Sequence, residues 1–208
     1  MNSDLQGGVS LQARADFVKS IDRLIVYGER PITELSLIMM TDEDFGHLIN
    51  GIELSDGGRI PFDGESQLLQ VFVEAPLGRQ FGVVDILLIY DDFSVMCEVK
   101  PCAYDKAAKR LETQIPRYVA SLGKAVSDRQ SGLVRLVQST ISKKRIYLIA
   151  ITNDSAFPPK LRDFLERLEH PCAMSLGWTS YTHLGGVLGR EGFVIDGYSR
   201  NPWTRKKR

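Results

Sequence analysis

The chain has 208 residues, 43% hydrophobic and 25% charged, which suits one ordinary globular domain. Its 26 basic residues balance 26 acidic ones, and zero net charge argues against a strong nonspecific hold on nucleic acid by the whole surface. No apolar run is long enough to span a membrane, and Cys97, Cys102 and Cys172 neither divide into pairs nor carry zinc-ligand spacing. The start, MNSDLQGGVSLQARADF, has no basic-then-apolar secretory pattern, so a reducing cytoplasmic location is expected.

Residues 11–27 (LQARADFVKSIDRLIVY) place Phe17, Ile21, Leu24 and Ile25 near helical spacing and predict a helix. A second segment opens at Thr33-Glu34 and runs to about residue 40. Thr41 or Asp42 then caps a third that ends near residue 50. Ser55-Asp56-Gly57-Gly58 reads as a turn. Residues 68–75 (LLQVFVEA) read as a strand, with Pro76-Leu77-Gly78 joining it to a hairpin, and Glu74 at its end is a candidate extra metal or water ligand.

The hairpin comprises residues 83–90 (VVDILLIY) and 93–100 (FSVMCEVK), which are rich in β-branched and aliphatic side chains, free of Pro and Gly, and read as two strands. A helix comes next, around Gln114 and Tyr118. Pro116 inside it requires either a start near Thr113, which puts the proline in the first turn, or a kink. Residues 145–152 (RIYLIAIT) predict a buried strand. Residues 158–169 predict a helix with Leu161, Phe164, Leu165 and Leu168 on one face, and 172–178 a last short strand. Residues 181–184 begin a helical or irregular close. Helix, strand, helix, strand after a hairpin predicts an α/β fold with a mixed central β-sheet flanked by α-helices. The glycine-rich stretch 185–192 lacks a following GK[ST] and is no phosphate loop. His47, His170 and His183 are scattered, and structural roles are expected for all three.

The chemistry concentrates in the hairpin. A two-residue turn at Asp91-Asp92 sets Tyr90 opposite Phe93, Leu87 opposite Met96 and Asp85 opposite Glu98. Opposed residues project to one face with Cβ atoms roughly 5 Å apart. Lys100 shares that face because side chains alternate with period 2, and Cys97 faces the other way as core packing. A three-residue loop would shift the register and part the two acids. Adjacent carboxylates repel, and burial raises their pKa values, so a core strand gains nothing from them without a cation. Two carboxylates and a lysine make a site for a hard divalent cation and a water-derived nucleophile. The plainer reading is a hairpin whose charged ends emerge into solvent.

The stretch GVVDILLIYDDFSVMCEVKPCAYDKAAKRLETQIPRYVASL resembles the core of the PD-(D/E)xK nuclease superfamily, the restriction-endonuclease-like fold, over about a third of the chain. The resemblance implies that Asp85 and Glu98 bind Mg2+, with Mn2+ as a substitute, together with the backbone carbonyl of Val99. It implies that Lys100 is the catalytic lysine and that Gln114 and Tyr118, matching a Q-x-x-x-Y pair, help line the site. Val84 stands where the name-giving proline would be. Glu34 corresponds loosely to an acid that some members carry before the hairpin, and a helix-start acid near the positive dipole end explains it equally well.

The implied activity is metal-dependent hydrolysis of phosphodiester bonds, with DNA favoured over RNA, in restriction, defence or DNA processing. Residues 1–208 would form a single nuclease-like domain: a helical part at about 10–50, a catalytic core at about 66–184 and a basic tail at 200–208. Lys106, Lys109, Arg110 and Arg117 form a basic group near the site that could follow a phosphate backbone. Further basic groups are Lys143, Lys144 and Arg145, and the tail from Arg205 to Arg208. Cutting both strands needs two sites, which makes a homodimer plausible. The competing class is a catalytically inactive nuclease-fold module that binds nucleic acid or a partner protein; a third is hydrolysis of another phosphoester.

Overall fold

Long runs of aliphatic and β-branched residues build the centre of the molecule. The computed structural model describes residues 40, 42–62, 64–122, 132–141 and 144–183. The expected helix at 11–27, Glu34, Lys143, the glycine-rich stretch and the basic tail lie outside these residues. Within them the elements run α1 (Asp42–Asn50), β1 (Glu53–Leu54), β2 (Leu68–Gly78), β3 (Gly82–Tyr90), β4 (Phe93–Lys100), α2 (Tyr104–Leu122), α3 (Gly132–Ile141), β5 (Arg145–Thr152), α4 (Pro159–Arg167) and β6 (Met174–Ser180).

The six strands form one mixed sheet in the order β1-β6-β5-β4-β3-β2. β2, β3 and β4 make an antiparallel meander, β4, β5 and β6 are parallel, and β1 closes the far edge antiparallel to β6. Both parallel connections run over the same face. There Leu111 and Ile115 of α2, Val137 and Ile141 of α3, and Leu161 and Leu165 of α4 pack on Leu87, Met96, Leu148 and Leu176. The opposite face is covered by Phe45, Leu48 and Ile49 of α1 with Ile52, Ile60 and Tyr181, against Ile86, Leu88, Val95, Cys97 and Ile149. Covered on both faces, β4 and β5 are buried almost end to end.

Two prolines behave differently from the sequence expectation. The strand expected at 68–75 continues through Pro76 to Gly78. β2 is an edge strand, where a missing N–H does not break a ladder on both sides, and the register shifts between Pro76 and Gly78. Of the two expectations for Pro116, a helix start near Thr113 or a kink, the first fails: the helix begins at Tyr104 and runs through the proline. An interior proline costs about 3 kcal/mol or more, and burial of Tyr104, Ala107, Leu111, Ile115, Tyr118 and Val119 along one stripe offsets it. Helix α3 was not expected at all. Its β-branched composition (GLVRLVQSTI) is weak for a helix, yet Val134, Val137, Gln138 and Ile141 fall on a buried face.

Among the described residues no helix is long and apolar enough to cross a membrane. One close approach constrains the β1 edge of the sheet. A Cβ on Gly177 would lie 2.7 Å from the backbone oxygen of Glu53 and 3.1 Å from Ile149 Cδ1. Backbone cannot retreat as a side chain can, so Gly177→Ala should cost about 1–3 kcal/mol. A fall of several degrees in the thermal midpoint is expected; an unchanged midpoint would show that β1 can move away.

Candidate active site

The β3–β4 pairing aligns Leu87 with Met96 and Ile86 with Cys97. Continued by one residue, that register sets Asp85 opposite Glu98, the arrangement expected from a two-residue turn. The ladder ends at Ile86–Cys97, and beyond it the Val99 amide donates to Asp85 Oδ2 at 2.7 Å, which ties the aspartate side chain to β4. Cys97 points to the opposite, apolar face, and burial pushes its thiol well up from the usual range.

Glu98, Lys100 and Asp85 form one cluster. Lys100 Nζ donates to Glu98 Oε1 at 2.5 Å and to the Val99 carbonyl at 3.0 Å. It lies 3.8 Å from Asp85 Oδ2. Side-chain exposure is 1% for Glu98, 7% for Lys100 and 29% for Asp85, so solvent reaches the cluster from the aspartate side. Two carboxylates and one ammonium leave a formal charge of −1 in a mostly enclosed place.

Tyr118 reaches this cluster from α2, with Gln114 one turn earlier beside its hydroxyl. Tyr118 OH lies 2.7 Å from Glu98 Oε2 and 2.8 Å from the Val83 carbonyl, and Gln114 Nε2 donates to that hydroxyl at 3.4 Å. The hydroxyl has one proton for two acceptors. With Glu98 ionised, Tyr118 donates to it; with Glu98 protonated, the acid donates to Tyr118, which donates to Val83. Burial and the neighbouring Glu98 carboxylate raise the Tyr118 phenol well above its usual range, which keeps its proton in place. Gln114 Oε1 is shielded from solvent and has no hydrogen-bond donor among the described residues.

A contact invisible in the motif holds α2 in position. Asp154, in the loop after β5, accepts from the Tyr104 amide at 2.8 Å and from Thr152 Oγ1 at 2.6 Å. Trp178 Nε1 of β6 donates to the same Thr152 hydroxyl at 2.8 Å. The carboxylate sits at the positive end of the helix dipole and satisfies an orphan amide there. The sequence signal was slight: a Thr-Asn-Asp run where an apolar strand ends.

Lys106, Lys109, Arg110 and Arg117 are all exposed and lie on α2 itself, not ahead of it. At about 100° per residue they share one stripe, and Gln114 falls between that stripe and the buried one. Arg145 pairs with Phe93, at the end of β4 away from Lys100, and with Lys144 stands apart from the cluster. Glu74 lies across from Asp85 in the β2–β3 register, in left-handed backbone at φ 53°. Among the described residues no three His, Cys, Asp or Glu side chains gather closely enough to hold a metal. No protein-family model, curated protein or solved structure matches the chain.

The donor set fits a hard cation: two carboxylates and a backbone carbonyl around a spot that already accommodates a positive charge, the Lys100 ammonium. Glu98 itself is pushed up to about 7 from 4.5, chiefly by burial and then by Asp85, with Lys100 and Tyr118 opposing. A carboxyl raised in the folded state binds its proton more tightly than the unfolded chain does. Its ionisation therefore costs nothing below pH 4.5 and reaches full cost above about pH 7. In EDTA the wild type should lose on the order of 3 kcal/mol relative to Glu98→Gln as pH rises through this window. Parallel urea denaturation of both proteins at pH 4.5, 6 and 8 measures it; parallel pH profiles would contradict the assignment.

Proposed function

We propose that this chain is a magnesium-dependent nuclease with a PD-(D/E)xK, restriction-endonuclease-like core that hydrolyses phosphodiester bonds of DNA. The observation that carries the reading is the buried Glu98 carboxylate held between Lys100 and Tyr118, with Asp85 opening the cluster to solvent. Stability alone does not account for it, since a buried charged group is expensive even when paired.

Asp85, Glu98 and the Val99 carbonyl would hold the ion. Bound Mg2+ supplies a water of lowered pKa and neutralises charge on a phosphoryl oxygen. Lys100, whose ammonium reaches both acids, orients the attacking water or offsets charge that builds on the phosphate. Gln114 supports the Tyr118 hydroxyl through its Nε2, and Tyr118 fixes the orientation of Glu98 beside that water. In hydrolysis the water oxygen bonds to phosphorus as the bond to the leaving oxygen breaks, and the leaving oxygen takes up a proton. The exposed stripe of Lys106, Lys109, Arg110 and Arg117 follows the backbone of the nucleic acid beyond the reacting phosphate. A two-fold homodimer would present the two sites needed to cut both strands.

Purified protein should cleave DNA with Mg2+ or Mn2+ and lose the activity in EDTA. Asp85→Asn and Lys100→Ala should each lower the rate on the order of 10²-fold or more. DNA left intact under all metal conditions would sink the proposal. The hydrogen bond from Tyr118 lowers the pKa of Glu98, so its removal raises it. With Glu98 needed in ionised form, Tyr118→Phe should shift the acid limb of the pH–rate profile at sub-saturating Mg2+ to higher pH. A limb that stays in place would separate Tyr118 from the metal ligand.

A further inference from the structure

The Lys100 ammonium hydrogen-bonds two of the three oxygens that would hold the cation and forms an ion pair with the third. Nζ is 2.5 Å from Glu98 Oε1, 3.0 Å from the Val99 carbonyl and 3.8 Å from Asp85 Oδ2. Ammonium has three protons and no lone pair; two of these oxygens accept from it and the Asp85 carboxylate balances its charge, so it fills the place a cation would take. A divalent ion on the same oxygens would overlap the ammonium and be repelled by it. The two cations cannot occupy this place together.

We propose that Lys100 is the resident counter-ion of the Asp85–Glu98 pair and that an incoming divalent cation displaces its ammonium toward the Asp85 side. The inference rests on the metal-site reading above and adds an order of events to it. Before metal arrives, the lysine spares the fold an unpaired carboxylate at Glu98, whose side chain is 1% exposed. Its flexible four-carbon stem allows the head group to move without the strand moving. Asp85 is 29% exposed while the other two are enclosed, so both the entry of the ion and the exit of the amine lead past it. Once displaced, the ammonium stands at the mouth of the site, where a phosphate of the substrate would arrive. Lys100 is then presented to substrate when the metal is already seated.

Full-length protein treated with a limiting amount of acetic anhydride tests the exchange. Acetylation of Lys100 is read by peptide mass spectrometry in EDTA and in saturating Mn2+, and bound Mn2+ is read separately by electron paramagnetic resonance. Mn2+ should bind and raise Lys100 acetylation several-fold, while the exposed Lys106 and Lys109 react equally in both conditions. Bound Mn2+ with Lys100 acetylation unchanged or reduced would overturn the exchange and leave the metal site standing; no bound Mn2+ would overturn both. Lys100→Met, which has no ammonium to displace, should bind Mn2+ about tenfold more tightly. Equal or weaker binding by that variant also counts against the exchange.

Discussion

Burial of Glu98 in the middle of the sheet is the constraint from which the arrangement of the site derives. Its strand is paired on both sides and covered on both faces, so the carboxylate has almost no access to water. Taking such a group out of water is costly, and the surroundings answer it with donors placed on each oxygen. Lys100 serves Oε1 and Tyr118 serves Oε2. Each donor comes from a different part of the chain, so the carboxylate ties strand β4 to helix α2. The same enclosure raises its proton affinity, putting its titration near neutrality.

Helix α2 must lie in one position for this to work. Its buried stripe fits the sheet face formed by Leu87, Met96 and Leu148, and its first turn is anchored by Asp154 from the β5–α4 loop. Thr152 and Trp178 hold that aspartate in turn, so the ends of β5 and β6 help set where Tyr118 arrives. Packing alone would let a helix slide or rotate slightly. A charged cap at one end and a hydroxyl engaged with Glu98 and Val83 near the other leave little room to do so.

Asp85 supplies the contrast that makes the cluster usable. It shares a face with Glu98 yet keeps contact with solvent, so charge can enter from one side while the far side stays closed. The exposed basic stripe of α2 lies next to Gln114 on the helix surface, not against the acids. These acidic and basic groups are thus kept on separate surfaces of a chain with no net charge.

Period-2 alternation and a two-residue turn were enough to put Asp85, Glu98 and Lys100 on one face, because in a hairpin the register comes from local geometry. The strand at Arg145–Thr152 was legible for the same reason, as an unbroken apolar run. Pro76 and Pro116 misled because a proline marks a break only where the missing N–H matters; an edge position and a well-packed helix face overrode it. Helix α3 was hidden by β-branched residues that tertiary packing tolerates. The depth of Glu98, the hydrogen bonds of Lys100 to both Glu98 and the Val99 carbonyl, and the capping of Tyr104 by a residue 50 positions away could not be read from the chain. Alternation decides which way a side chain points, but water access and distant partners depend on which strands and helices come to surround it, and only the assembled sheet with α2 laid across it settled that.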